Sequence, residues 1–244
     1  MTLLSGFHTF PMDMKMSPRR SNPLSRSVED YLKTVYGLTE RGEPASTSAL
    51  AEALDIQPAS VTGMIKRLDE SGFVEHVPYR GVRLTEKGSR EALRIIRRHR
   101  VLETYLTDCL GYSWDDVHHE AERLEHAASD ELIDRMAAAL EDPSHDPHGA
   151  PIPTSGGEIE FTDFASLADA PEGVTLEIKA VQDEDSDRLR YMESLGLRPG
   201  VLVTIVSRAP FNGPMSVSVE GGAEATEETI AYDLAQRIFV GRSV

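Results

Sequence analysis

The sequence predicts a mainly α protein with a small β portion: a winged helix-turn-helix, a second helical unit and a C-terminal β-barrel. Three observations predict it. Apolar residues recur at helical spacing in successive segments between Ser27 and Leu140. Two short β-rich runs, Phe73 to Val77 and Gly81 to Leu84, interrupt those helices and flank Pro78-Tyr79-Arg80, a hairpin signal. From about Ile159 the period changes from helical to alternating.

Residues 1–25 are rich in Met, Pro and Ser, show no period and read as a flexible tail. A first helix is expected from Ser27, a good N-cap, to Arg41, with Glu29 and Asp30 suiting its positive start. Tyr31, Leu32, Val35 and Leu38 lie on its apolar face. A second helix should span Ser46 to Leu54. A third should open on Pro58, suited to a first helical position, and stop at Gly72. The hairpin follows, and Thr85 opens a long helix to Leu110. Further helices are expected over Trp114 to His126 and Ser129 to Leu140, then a Pro/Gly/His-rich linker over 142–157. Val174 to Ile178, Val201 to Val206, Met215 to Val219 and Ile238 to Val240 read as barrel strands.

Composition excludes several classes. No stretch approaches the roughly 18 consecutive apolar residues of a membrane helix, and no secretory leader is legible. Cys109 is the single cysteine, so no disulfide framework exists and a cytoplasmic location is expected. The net charge of −16 opposes nucleic-acid binding on its face. Its distribution does not. Residues 1–105 carry 16 Lys/Arg against 13 Asp/Glu, and the remainder carries 9 against 28. The basic excess coincides with the helix-turn-helix.

A recognition helix needs small polar residues on its exposed first turns, because these approach base edges in the major groove. Gln57, Ala59, Ser60, Thr62 and Gly63 meet that need. Lys66 and Arg67 lie further along, in reach of phosphates, and Tyr79, Arg80 and Arg83 belong to the wing.

The segment from Val117 to His126 is the densest in chemistry. At about 100° per residue, His118, Glu122, Glu125 and His126 fall on one side of a helix. His99 and Glu103 stand one turn apart on the long helix before it. Concentrated carboxylates are costly without a cation. Imidazole and carboxylate ligands without thiolate suit Mn(II), Fe(II), Co(II) or Zn(II). Cys109 falls off the ligand face and reads as packing.

These motifs carry a resemblance. Asp30-Tyr31-Leu32-Lys33-Thr34-Val35-Tyr36, Arg98 to Glu103, Val117 to His126 and Asp146-Pro147-His148-Gly149-Ala150-Pro151-Ile152-Pro153 are similar to the diphtheria toxin repressor family of metal-dependent regulators. The likeness runs from about Ser27 to Val240. It implies a winged helix-turn-helix DNA-binding domain over 26–93, a helical dimerisation and metal-binding domain over 94–157, and an SH3-like domain over 158–244. It implies one metal site of Asp30, Glu122, Glu125 and His126. A second would hold His99, Glu103 and His118, with Gln182, Asp183 or Asp185 as candidates to complete it. Iron-type members carry Met and Cys where Asp30 and Glu122 stand, so the hard-oxygen pair resembles manganese-type members. Lys33 departs from short manganese-type members, which place a carboxylate there, and fits a long form with two separated sites.

The expected protein is therefore a homodimeric regulator, a repressor of metal-uptake genes. It binds a palindromic double-stranded DNA operator with Mn(II), or also Fe(II), bound. Three other readings compete: an iron-responsive regulator of the same family, a Glu/His metalloenzyme, for which no catalytic loop motif is present, and a winged-helix regulator of a small organic ligand.

Overall fold

A computed structural model describes residues 24–40, 42–77, 79–160, 163–183, 185–221 and 225–243. The expected tail falls outside these residues apart from its last two, as do Arg41 and Pro78.

The N-terminal unit is a winged helix-turn-helix. Helix α1 spans Arg26–Thr39. It starts earlier than expected, because Ser25 rather than Ser27 takes the extended N-cap conformation and offers its carbonyl to Val28 and Glu29. Helix α2, Thr47–Ala53, is capped by Ser46, whose hydroxyl accepts from the Ala49 amide at 3.1 Å. Helix α3, Pro58–Glu70, opens on Pro58 and ends before Gly72. Strands β1 (Val74–Val77) and β2 (Gly81–Leu84) pair antiparallel as the wing. Leu32, Val35, Leu50, Val61, Leu68 and Val82 form the shared core.

Helix α4, Glu86–Leu110, joins this unit to the next. The Thr85 hydroxyl accepts from the Gly88 amide at its start, and Gly111 stops it in the left-handed conformation. At 25 residues it is about 37 Å long. Ala92 and Ile95 in its first half belong to the winged-helix core. Val101, Leu102 and Leu106 in its second half pack with Val117, Ala121 and Ile133. One rigid element thus carries both cores.

Helix α5 covers only Val117–Leu124, shorter than the expected Trp114 to His126. Trp114 is drawn away into the core of the C-terminal unit, its indole N–H donating to the Pro147 carbonyl at 2.9 Å. Glu125 is the C-cap and His126 lies in the turn beyond it. Helix α6, Asp130–Ala139, is capped by the Ser129 hydroxyl, which accepts from the Leu132 amide. Leu124 and Leu132 are exposed in the single chain, as are Leu110 and Tyr112.

The expected linker over 142–157 is instead a structured crossing. Arg97 and Arg100 of α4 donate to the carbonyls of Pro153 and Pro151. Its Pro/Gly content serves close approach. Gly149 has φ +85°, and a Cβ there would stand 2.0 Å from the Lys179 carbonyl oxygen.

The C-terminal unit contains strands β3 (Ala165–Ser166), β4 (Thr175–Val181), β5 (Leu202–Arg208), β6 (Met215–Glu220), β7 (Thr226–Ile230) and β8 (Ile238–Gly241). They form an antiparallel sheet in the order β3-β8-β4-β5-β6-β7. Ile178, Val203, Ile205, Val217 and Val240 point into its core. Helices α7 (Ser186–Ser194) and α8 (Tyr232–Ala235) and strand β7 were not legible in the sequence. Strand β7 is a polar edge strand whose only buried residue is Ile230. Among the described residues no helix is long and apolar enough to cross a membrane.

Candidate metal centre and nucleic-acid interface

The candidate recognition residues lie on an exposed face. Gln57, Ala59, Ser60, Thr62, Gly63, Lys66 and Arg67 on α3 are all exposed. Val61, Ile65 and Leu68 hold the opposite face in the core. Tyr79 stands fully free at the wing tip with φ +63°. Arg80 pairs with Glu43 at 3.2 Å, and Arg83 donates to the Gly42 carbonyl.

Six of the seven predicted ligands fall in two clusters at the meeting of α1, α4 and α5. In the first, His99 Nε2 lies 2.9 Å from Glu103 Oε1 and 3.0 Å from His118 Nδ1, and His118 Nδ1 lies 3.0 Å from the same Glu103 oxygen. At metal–ligand bonds of about 2.1 Å, adjacent ligands of an octahedral ion stand about 3 Å apart. Three donor atoms already hold that spacing. Glu103 and His99 are buried, and His118 nearly so. Burial alone would push His99 down. The Glu103 charge and hydrogen bonds to Glu103 and Glu125 outweigh it and raise its pKa to about 9. Glu103 is held well below the usual carboxylate range by His99 and His118, despite its burial.

The second cluster spans domains. Asp30, on α1, places Oδ1 2.9 Å from His126 Nε2, and Glu125 Oε1 lies 3.3 Å from the same nitrogen. Partial burial raises the Asp30 pKa, against the pull of His126. Glu125 is lowered despite its burial, by its hydrogen bond to His99 and by Lys33.

Glu122 does not join this triad. Its Oε1 lies 3.5 Å from Lys33 Nζ and 3.7 Å from His118 Nε2, and its side chain is half exposed. Nor does Asp183 or Asp185 belong to either cluster. Asp183 is taken up by Arg188 at 2.7 Å and Arg237 at 3.3 Å, and Asp185 caps α7. Cys109 is exposed at the end of α4 and outside every cluster, which corrects its expected packing role.

Two features escaped sequence reading. Glu29 reads as a helix-start charge, yet it is buried, and it accepts from His126 Nδ1 at 2.7 Å and from Arg98 at 3.0 Å. This carboxylate fixes the ring so that Nε2 faces Asp30 and Glu125. The second feature is a further group of Glu103, Asp146 and His148. His148 Nε2 donates to the Trp114 carbonyl at 2.9 Å. Asp146 Oδ1 accepts from the amides of His148 and Ala150. Burial beside Glu103 raises the Asp146 pKa. The Asp-Pro-His-Gly spacing was the available signal.

Family models match the chain in sequence. The N-terminal DNA-binding domain of iron dependent repressors matches residues 23–82, and their metal binding and dimerisation domain matches 85–154. The FeoA domain matches 165–242. The diphtheria toxin repressor of Corynebacterium efficiens is 31% identical over 191 residues, 74% of this chain and 83% of that protein. The chain belongs to the iron-dependent repressor family. Within it, the regulator MntR of Oceanobacillus iheyensis is 39% identical over 110 residues, 45% of this chain and 74% of that protein. A solved structure of a manganese-dependent transcriptional repressor in complex with manganese superposes with a TM-score of 0.82 at 37% identity. The match covers 88% of this chain and 100% of that one. This repressor-family chain thus has the fold class its sequence predicts, and its β unit is the FeoA, SH3-like domain.

Proposed function

We propose that this chain is a homodimeric repressor of metal-uptake genes in the cytoplasm. With Mn(II) bound, and in lesser measure Fe(II), it closes on a palindromic DNA operator. The observation that carries this reading is that Asp30 of the DNA-binding domain meets Glu125 and His126 of the dimerisation domain at one point. The donor set fits the ion: only carboxylate oxygens and imidazole nitrogens converge, with no thiolate to favour softer metals. A bound cation supplies the positive charge that lets these carboxylates approach.

Each residue then has a task. Asp30 ties α1 to the dimerisation domain. Glu125 and His126 receive it, and Glu29 and Arg98 keep the His126 ring turned toward it. His99, Glu103 and His118 form the second site within the dimerisation domain, and Asp146 and His148 offer Glu103 further partners from the crossing segment. Glu122 is near enough to be recruited from its contact with Lys33. Exposed Leu110, Leu124 and Leu132 supply apolar surface for a second copy. In a two-fold dimer both α3 helices must meet major grooves about 34 Å apart or a multiple of it. The tie through Asp30 sets the α1 orientation on which that spacing depends.

A mobility-shift titration tests the reading. Operator affinity should rise steeply with Mn(II) and fall back when a chelator is added. Equal affinity in both conditions would sink it.

A further inference from the structure

The segment between α4 and α5 belongs to the helical domain by chain order, yet the C-terminal unit holds it. Trp114 is buried in the core of that unit with Met192 and Leu197, and the Arg198 guanidinium stands 5.3 Å from the centre of its ring. The Trp114 carbonyl accepts from His148 Nε2 at 2.9 Å, and the His148 carbonyl accepts from the Val181 amide of β4 at 2.8 Å. The next residue is gripped as well. The buried Asp115 carboxylate accepts from Nη2 and Nε of Arg190 on α7, at 2.8 and 3.0 Å. The Asp115 carbonyl accepts from the Ser186 hydroxyl at 2.8 Å.

Both residues stand immediately ahead of α5, whose second residue is His118. That helix has eight residues, too few to be stable without tertiary support. Its N-cap, Asp116, makes no side-chain capping bond. Val117 and Ala121 pack it against α4. His118 Nδ1 must still stand 3.0 Å from Glu103 Oε1 and from His99 Nε2. A displacement of about one ångström is enough to spoil such a site. The carboxylates expected to reach this site from the C-terminal unit are occupied elsewhere: Asp183 with Arg188 and Arg237, and Asp185 as the cap of α7.

We propose that Trp114 and Asp115 are positioning residues for the first metal cluster. The C-terminal unit grips them, sets where α5 begins and so places His118, and it does this without donating a ligand. This rests on the reading that His99, Glu103 and His118 hold Mn(II).

The test measures Mn(II) binding by calorimetry in the full chain carrying Asp30→Ala, where the second cluster lacks a ligand and the first is read alone. Adding Arg190→Ala, at an exposed side chain outside the clusters, should weaken that binding about fivefold. Adding Trp114→Ala should weaken it about tenfold. Arg188→Ala lies on the same helix, but its ion pairs with Asp183 and Asp185 stay within the C-terminal unit, and it should leave the affinity unchanged. In the native chain Mn(II) should also reduce acrylamide quenching of Trp114, the one tryptophan present, because ion binding and docking favour each other. His118→Ala should abolish that change. Unaltered affinity in Arg190→Ala, an equal loss in Arg188→Ala, or quenching that Mn(II) leaves unmoved would overturn the proposal and leave the two-site reading standing. So would a loss in Gln182→Ala with none in Arg190→Ala, which would assign the effect to a donated ligand. An Asp30→Ala chain that binds no Mn(II) would overturn both. Should Trp114→Ala not fold, Arg190→Ala decides.

Discussion

The two ligand clusters differ in what they join. His99, Glu103 and His118 belong to α4 and α5 of one domain, are buried or nearly so, and already stand about 3 Å apart. Asp30, Glu125 and His126 come from two domains, and Asp30 keeps more than a third of its side chain exposed. A site built within one core changes little when filled. A site assembled across two domains links ion binding to their arrangement, which is what a switch requires. In the proposed reading the first cluster, placed on the long α4, stays fixed while the second does the sensing.

The largest expected effect lies in the buried cluster. Glu103→Ala would leave the raised His99 without its main partner, and the metal-free chain should lose ~3–5 kcal/mol of stability at neutral pH, read by denaturant unfolding. An unaltered unfolding midpoint would show that this cluster is not held by the Glu103–His99 pair.

Next comes the orientation of His126. Glu29→Gln should weaken Mn(II) binding at the Asp30 site by about 10–100-fold while barely moving the His99 site. Equal losses at both, or none, would remove Glu29 from its orienting role.

The pH dependence separates the clusters further. His99 titrates at about 9 in the folded chain against 6.5 ordinarily, so its contribution to metal-free stability is full below pH 6.5 and is lost as pH rises through 9. Glu103 and Glu125 have the opposite sign: their contribution is present above about 4.5 and lost as pH falls. Because a ligand imidazole must shed its proton, Mn(II) affinity at the His99 site should rise by up to about tenfold per pH unit until pH 9. Calorimetry in buffers of different ionisation enthalpy should detect the released proton; a pH-independent affinity would contradict the pairing. The smallest effect belongs to the DNA face. Lys66→Ala should weaken operator and unrelated DNA alike and reduce the salt slope by about 1, whereas a change in sequence preference would place Lys66 at a base edge instead.

Much of this was legible from side-chain type and period. The helical faces of α1, α3 and α4 follow apolar spacing because each buries one stripe against a shared core. His99, Glu103 and His118 were legible because two helices carry them at one-turn spacing. Glu29 was not: its role depends on Arg98 and His126, 69 and 97 residues away, and a carboxylate at a helix start has a simpler local explanation. Helix α5 is shorter than its pattern predicts because Trp114 continues the helical pattern yet is buried with the β unit. The segment around Gly149 looks like a linker by composition, although its glycine is needed for contact with β4. Asp146 and His148 are visible as a motif, but their meeting with Glu103 is not, because it joins residues more than 40 positions apart.

In the proposed function the cluster spanning two domains is the switch and the cluster within one domain is not. Asp30→Ala and His118→Ala, each lacking one predicted ligand, test it in a single assay of operator affinity against Mn(II). Asp30→Ala should lose the Mn(II)-driven gain by on the order of 100-fold while remaining folded, and His118→Ala should lose several-fold less. Equal losses in the two variants, or a full Mn(II) response in Asp30→Ala, would contradict it.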